Sequence, residues 1–192
     1  MNEQLGFYIN ARRCVQCFAC DVACKLANDV EVGPRWRRVL NRWEDRLFGA
    51  ADWNIAVSCM HCAKPACLEV CPTSAITKRA EDGIVVVNAD DCIGCGECAI
   101  ACPYGAPQFG IDGKMQKCNL CLDRLEQGKE PACIATCPGE ALKFGTMEAL
   151  AKMAEADSGD RLIGPTQPSF FAASADPAQT PQEYVEQFFR RT

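Results

Sequence analysis

The sequence predicts an α+β protein: two interleaved cysteine-bound units of small hairpins and short helices, followed by an extended C-terminal tail. Three observations predict it. Sixteen cysteines among 192 residues fall into four groups of four. A cysteine–proline exit, a short turn and a β-prone run recur, as CPTSAITKRA from Cys71 and CPGEALKFG from Cys137. Beyond Gly145 the cysteines stop, and residues 157–180 turn rich in Ser, Gly, Pro and Ala.

Composition sets the bounds. The chain is 48% hydrophobic, but cysteine is counted in that figure. Without it the apolar share is about 40%, below a typical globular domain. Bound metal can make up such a deficit. A net charge of −5 and no long basic run argue against nucleic acid as a partner. The start MNEQLGFYIN has neither a basic n-region nor an apolar h-region, so no signal peptide is expected. No apolar run approaches the roughly 18 residues of a spanning helix, so no direct membrane span is expected. Cysteines at this density in a chain made in the cytoplasm are read as metal ligands rather than disulfides.

Taken in order, Phe7 to Asn10 read as a short strand leading into group one, Cys14, Cys17, Cys20 and Cys24. Lys25 follows where a proline would stop the chain, so Asp21 to Ala27 is expected to continue as helix. Residues 31–53 lack cysteine and mix Arg35, Arg37, Arg38, Arg42 and Arg46 with Trp36, Trp43 and Trp53. Such residues anchor interfaces, and the stretch is expected to be a docking surface, or an insertion whose tryptophans shield the metal sites. Group two is Cys59, Cys62, Cys67 and Cys71, followed by Pro72. His61, the single histidine, sits inside it. Four cysteines already fill the ligand count, so His61 is expected to hydrogen-bond or pack behind them.

Ala75–Thr77 and Ile84–Val87 flank Asp82-Gly83 and predict a hairpin. Group three, Cys92, Cys95, Cys98 and Cys102, follows at once. Gln108–Ile111 and Lys114–Gln116 around Asp112-Gly113 predict a second hairpin. Group four is Cys118, Cys121, Cys133 and Cys137, with eleven residues between its second and third cysteines, then a strand over Ala141–Gly145. Thr146 is expected to N-cap a helix over about residues 147–156. Thr180-Pro181-Gln182-Glu183 is a capping box opening a terminal helix. That helix carries Tyr184, Val185, Phe188 and Phe189 on one stripe, with Arg190 and Arg191 suiting its C-terminal dipole. It is expected to clamp onto the body or a partner.

The chemistry lies in the spacing. Group three with Pro103 reads C-x2-C-x2-C-x3-C-P, the bacterial ferredoxin pattern for iron–sulfur ligation. Its first three thiolates wrap one cubane, and the fourth ligates the other cluster of a two-cluster unit. Group one has the same spacing. Four cysteines within eleven residues crowd a single tetrahedral ion, whereas zinc sites draw two pairs from separate turns. Group four alone would suit zinc. Sixteen ligands at four per cluster imply four [4Fe–4S] clusters in two interleaved ferredoxin-like 2×[4Fe–4S] units. With groups two and three exchanging fourth ligands, Cys59, Cys62, Cys67 and Cys102 hold one cluster and Cys92, Cys95, Cys98 and Cys71 another. With groups one and four exchanging, the sets are Cys14, Cys17, Cys20 and Cys137, and Cys118, Cys121, Cys133 and Cys24. Pairing one with two and three with four satisfies the same count; the short link between groups two and three favours the nested scheme.

The corresponding division is an outer unit of residues 1–30 plus 113–150, an inner unit of 54–112, the Arg/Trp-rich insertion 31–53, and the tail with its terminal helix, 151–192. No Ser–His–Asp set, phosphate loop or paired acids appear, so no catalytic residues are expected.

The stretches GFYINARRCVQCFACDVACK, SCMHCAKPAC, DGIVVVNADDCIGCGECAIACPYGAPQF and KCNLCLDRLEQGKEPACIATCPGEALKFG closely resemble the four-cluster electron-transfer (B) subunit of the anaerobic dimethyl sulfoxide reductase family. That molybdopterin oxidoreductase family includes similar subunits of polysulfide, thiosulfate, tetrathionate and formate enzymes. The resemblance covers about residues 5–150. It implies the nested ligand scheme and four cubanes, since Cys95 stands where some relatives carry tryptophan and hold a [3Fe–4S] cluster. It also implies a wire between a molybdopterin-containing catalytic subunit and a membrane-anchoring, quinone-reactive subunit. The outer clusters would lie nearer the catalytic partner, and the cluster of Cys92, Cys95 and Cys98 would be terminal. The complex would sit at the cytoplasmic membrane, on either side. The alternative is a stand-alone polyferredoxin or an accessory carrier for a hydrogenase or formate dehydrogenase.

Overall fold

The computed structural model describes residues 3–43, 52–176, 178–186 and 188–189. β1 (Leu5–Asn10) ends where Asn10 Oδ1 accepts from the Arg12 N–H, turning the chain into group one. α1 (Ala19–Ala27) carries Cys20 and Cys24 and is not cut at Lys25, as the missing proline predicts. Lys25 also donates to the Glu31 and Pro34 carbonyls (2.6 and 2.7 Å), tying the following loop back to its helix. β2 (Arg38–Trp43) and β3 (Asp52–Val57) pair antiparallel, so part of the Arg/Trp stretch is strand. Val39, Ile55 and Val57 are buried beneath it.

α2 (Ala66–Glu69) follows Pro65. β4 (Ile76–Lys78) and β5 (Val85–Val87) form the first expected hairpin, turned by Gly83 at φ +69°. α3 (Glu97–Ala101) carries Cys98, and β6 (Gln108–Phe109) pairs with β7 (Met115–Gln116) as the second hairpin. α4 (Leu122–Glu126) lies in the long spacer of group four, and α5 (Ala132–Ala135) carries Cys133 at its far end. β8 (Leu142–Thr146) leads into α6 (Met147–Ala156), where the Thr146 hydroxyl accepts from the Ala149 N–H at 3.3 Å. β9 (Asp160–Arg161), β10 (Phe170–Ala173) and α7 (Pro181–Glu186) complete the described chain.

The main sheet runs β8-β1-β10-β9. β1 lies antiparallel to β8 and parallel to β10. This corrects the expectation of an extended tail: residues 170–173 are a central strand, buried throughout. The small and aromatic run FFAA explains it. Phe170 and Ala172 join Phe7 and Ile9 on the face that also holds Cys20, Cys59, Cys118 and Cys133. Phe171 and Ala173 join Tyr8 on the opposite face, under Leu150 and Ala154 of α6. A Ser/Gly/Pro-rich composition hides a four-residue strand whose hydrogen-bond partner is far away in sequence.

The capping box forms as expected: Thr180 N–H donates to Glu183 Oε2 (2.9 Å), and Glu183 N–H to Thr180 Oγ1 (3.3 Å). α7 clamps onto the protein's own body. Tyr184 and Val185 are buried, and the Tyr184 hydroxyl donates to the Asn54 carbonyl at 2.9 Å. Arg190 and Arg191 lie outside the described residues.

Candidate metal centre

The four groups share backbone conformations more closely than they share sequence. The residue before the second cysteine is left-handed in every group: Gln16 (φ 57°), His61 (φ 41°), Gly94 (φ 71°) and Leu120 (φ 61°). Only group three uses glycine there, and a Cβ on Gly94 would also press on the Gly113 carbonyl at 2.6 Å. This turn puts successive thiols and N–H groups on one side of the chain. The third residue after each Cys that precedes a proline is left-handed as well: Ser74, Gly105 and Glu140. Group one lacks both the proline and this turn, because α1 continues instead.

These turns aim N–H donors at sulfur. Leu120 N–H donates to Cys118 Sγ (3.4 Å) from its turn, and from outside these turns Met115 N–H of β7 donates to Cys92 Sγ (3.3 Å). Burial pushes the Cys102 thiol up, opposed by the N–H groups of Ala106, Tyr104 and Gly105 in its exit turn. At Cys71 burial acts the same way, but hydrogen bonds from Thr73, Ile76 and Ala75 outweigh it and bring the thiol below its ordinary value. Proline has no N–H to offer, so each Cys-Pro exit donates from the residues beyond it.

Three cavities are each ringed by four thiols. Cys14, Cys17, Cys20 and Cys137 line an outer one, with about 330 Å³ of atom-free space. Cys59, Cys62, Cys67 and Cys102 line an inner one of about 370 Å³. Cys71, Cys92, Cys95 and Cys98 line a terminal one of about 330 Å³. The remaining four form a buried set. Cys24 lies within electrostatic reach of Cys118, Cys133 and Cys121, and the Asn28 side-chain amide bridges Cys24 Sγ (3.9 Å) and Cys121 Sγ (3.6 Å). α1 packs on α5 beside the buried set, and α2 packs on α3 where the inner and terminal sets meet.

All sixteen cysteines are free thiols. Each ringed set surrounds a volume and not a point: among the described residues no three His, Cys, Asp or Glu side chains converge on a single ion. Burial pushes Cys20 and Cys62 up to about 11, and Cys67 and Cys118 up to about 12. Thiolates so placed require a compact cationic group inside the ring. A cubane of iron and sulfide meets that requirement, and soft thiolates suit it.

The sets follow one another as neighbours, the inner and terminal ones meeting where Cys67 and Cys98 share one packed cluster. Cys20 of the outer set neighbours Cys133 of the buried set, and Cys118 of the buried set neighbours Cys59 of the inner set. Cys17 and Cys95, at the two ends, are exposed, whereas Cys24, Cys118, Cys121 and Cys133 are all buried.

His61 is fully buried and lines none of these described cavities. Its Nδ1 accepts from the Val85 N–H at 3.1 Å, and burial holds its pKa well below the ordinary value, assisted by Lys117, Lys78 and Arg37. It is the left-handed turn residue of group two, a constraint the sequence did not announce. Among the described arginines of the stretch expected to dock, Arg37 turns inward, while Arg35 and Arg38 stay half-buried. Arg35 pairs with Asp21, Arg37 is buried, and Arg38 donates to the Tyr104 carbonyl at 2.9 Å. Trp36 donates to Gln116 Oε1 at 2.8 Å. Arg46 and the side chains of Arg42, Trp43 and Trp53 lie outside the described residues. Nothing in the sequence pattern points to Lys117. It is 3% exposed, and its ammonium donates to the Val85 and Cys118 carbonyls between the buried and inner sets.

Rings of four thiols, N–H donors aimed at sulfur and a buried middle define an iron–sulfur protein, and residues 52–147 match the 4Fe-4S dicluster domain family. Known relatives narrow this. The chain is 42% identical to the B subunit of the anaerobic dimethyl sulfoxide reductase of Escherichia coli K12 over 164 residues, 79% of this chain and 78% of the relative. It is 42% identical to the corresponding B subunit of Haemophilus influenzae, over 77% of each protein. It is 37% identical to the formate dehydrogenase iron-sulfur subunit of Wolinella succinogenes, over 77% of this chain and 84% of that one. The chain belongs to the family of iron–sulfur electron-transfer (B) subunits of the anaerobic dimethyl sulfoxide reductase type.

Proposed function

We propose that this protein relays electrons through four [4Fe–4S] clusters between a molybdopterin-containing catalytic subunit and a quinone-reactive membrane subunit. The observation that carries the reading is the succession of four neighbouring thiol sets, with an exposed cysteine, Cys17 or Cys95, in the first and the last. An enzyme pocket would need one accessible site; a relay needs two accessible ends.

The ligand sets are Cys14, Cys17, Cys20 and Cys137; Cys24, Cys118, Cys121 and Cys133; Cys59, Cys62, Cys67 and Cys102; and Cys71, Cys92, Cys95 and Cys98. Bound there, the clusters supply one-electron carriers. The residues of this chain fix the carriers, exclude water from the middle of the line and aim N–H groups at the sulfurs, which tunes potentials. The pairing of β1 with β8 and of α1 with α5 supports an outer unit built from both ends of residues 1–150. The β4–β5 hairpin and the α2–α3 contact support an inner unit from its middle.

Large apolar side chains stand exposed at each end of the line. Val15, Val22, Leu26 and Val32 surround group one, and Ile93, Ile100 and Ile111 surround group three. Such patches mark docking faces, here for the catalytic partner at the first end and the membrane partner at the second. Among the described residues no helix is long and apolar enough to cross a membrane.

Anaerobic purification from the native host tests the reading. The expected result is a stable complex with a large pterin-binding chain, and about sixteen irons per copy of this protein. A colourless chain, or a well-behaved monomer without that partner, overturns it.

A further inference from the structure

Arg37 is 1% exposed. Its Nη2 donates to Cys133 Sγ at 3.4 Å and its Nη1 to the Ala56 carbonyl at 3.4 Å. The guanidinium carbon lies 4.4 Å from the centre of the Phe7 ring, and Nε has no partner. Among the described residues no carboxylate pairs with it. A cation buried this deeply is costly unless opposite charge stands beside it. The opposite charge available is thiolate: Cys133, Cys118 and Cys24 of the buried set, and Cys20 of the outer set. The guanidinium stands between two ligand sets and belongs to neither.

We propose that Arg37 is a potential-setting cation shared by the two clusters of the outer unit, stabilising the reduced state of both. The proposal rests on the ligand sets given above. Clusters held by these sets would supply one-electron exchange, with no bond broken and the electron given up by one gained by its neighbour. Four thiolates make each bound cluster an anion in either state, one charge more negative when reduced. A fixed positive charge in a dry, low-dielectric gap therefore favours reduction of the clusters it faces. Facing both, Arg37 raises both and keeps them matched for exchange. Arginine suits the position, because its charge survives burial and its planar fork stacks on Phe7 while donating to sulfur.

The test is anaerobic potentiometry of the intact complex, followed by EPR, with iron content measured on every sample. Arg37→Gln and Arg37→Met remove the charge; Arg37→Lys keeps it without the fork. The expected result is that either neutral variant with full iron shows the outer-unit potentials lowered by at least tenfold in the reduction equilibrium, about 59 mV for a one-electron couple. The terminal cluster is unmoved and the lysine variant stays near the parent. Unchanged potentials in an iron-replete neutral variant overturn the proposal and leave the relay reading standing. A lysine variant shifted as far as the neutral ones also overturns it, since the fork and not the charge would then act. Loss of iron in both neutral variants overturns it too, by making Arg37 a requirement for assembly. A parent complex short of about sixteen irons is a failure of the relay reading itself.

Discussion

Phe170→Ala separates a core strand from a tail. Phe170 is 1% exposed in β10, opposite Phe7 of β1, on the sheet face that carries Cys20, Cys59, Cys118 and Cys133. Truncating a buried phenylalanine costs about 3–5 kcal/mol through lost transfer energy and the cavity left behind. For a chain of this size each kcal/mol moves Tm by about 2–4 °C, so the expected drop is about 6–20 °C. A side chain in a solvated tail would change stability by no more than about 0.5 kcal/mol. The assay is anaerobic thermal denaturation of the cluster-loaded protein, followed by circular dichroism and by the visible absorbance of the clusters at a fixed scan rate. The two probes report different faces. Phe170→Ala opens the cysteine-bearing face, so iron loss accelerates along with unfolding. Phe171→Ala opens the face under α6 and is expected to cost stability with a smaller effect on iron release before unfolding. A Phe170→Ala protein within about 2 °C of the parent refutes β10 as a core strand.

Three further outcomes are expected. Cys95→Trp converts the terminal cluster to a three-iron form and blocks electron flow from quinol; EPR then shows one altered and three unaltered clusters, and an unchanged spectrum counts against Cys95 as a ligand. Lys117→Met removes the buried ammonium between the inner and buried sets; it leaves carbonyls of Val85 and Cys118 without their donor, at about 1–3 kcal/mol each, and lowers the potentials of the two adjoining clusters, read by the same redox titration. Tyr8→Phe removes the hydrogen bond donated to Asp157 Oδ2 at 2.6 Å, the main reason the Asp157 carboxyl sits below the usual carboxylate range. A depressed folded-state pKa stabilises above the unfolded value and ceases to do so as pH falls through the folded one. The stability gap between parent and variant is therefore present at neutral pH and closes in acid, and it is modest because the carboxylate is largely solvated; a gap independent of pH would falsify the linkage.

Much of the site was legible because ligand spacing is a local property. In groups one and three C-x2-C-x2-C-x3-C places four sulfurs within one turn and one short helix; which group lends the fourth thiol that lines the outer, inner and terminal cavities is not set by that spacing. The hairpins at Gly83 and Gly113 and the caps at Thr146 and Thr180 were legible for the same reason. The left-handed turn before each second cysteine was not, because three of the four residues there are Gln, His and Leu, and only Gly94 advertises its φ. The contacts of Arg35, Arg37 and Arg38 were hidden too. Their partners, Asp21, Cys133 and Tyr104, are 14, 96 and 66 residues away.

Residue type at short spacing is enough to set the number of thiol sets, to favour their nested pairing and to reveal the family. The order of the sets in space, the cations lodged between them and the place of β10 emerge only on folding. Cys118 meets Cys59, Arg37 meets Cys133, and Phe170 pairs with Phe7 across distances in the chain that no local pattern encodes. Those contacts arise when apolar faces and buried charges must all be satisfied at once, and that condition exists only in the folded molecule.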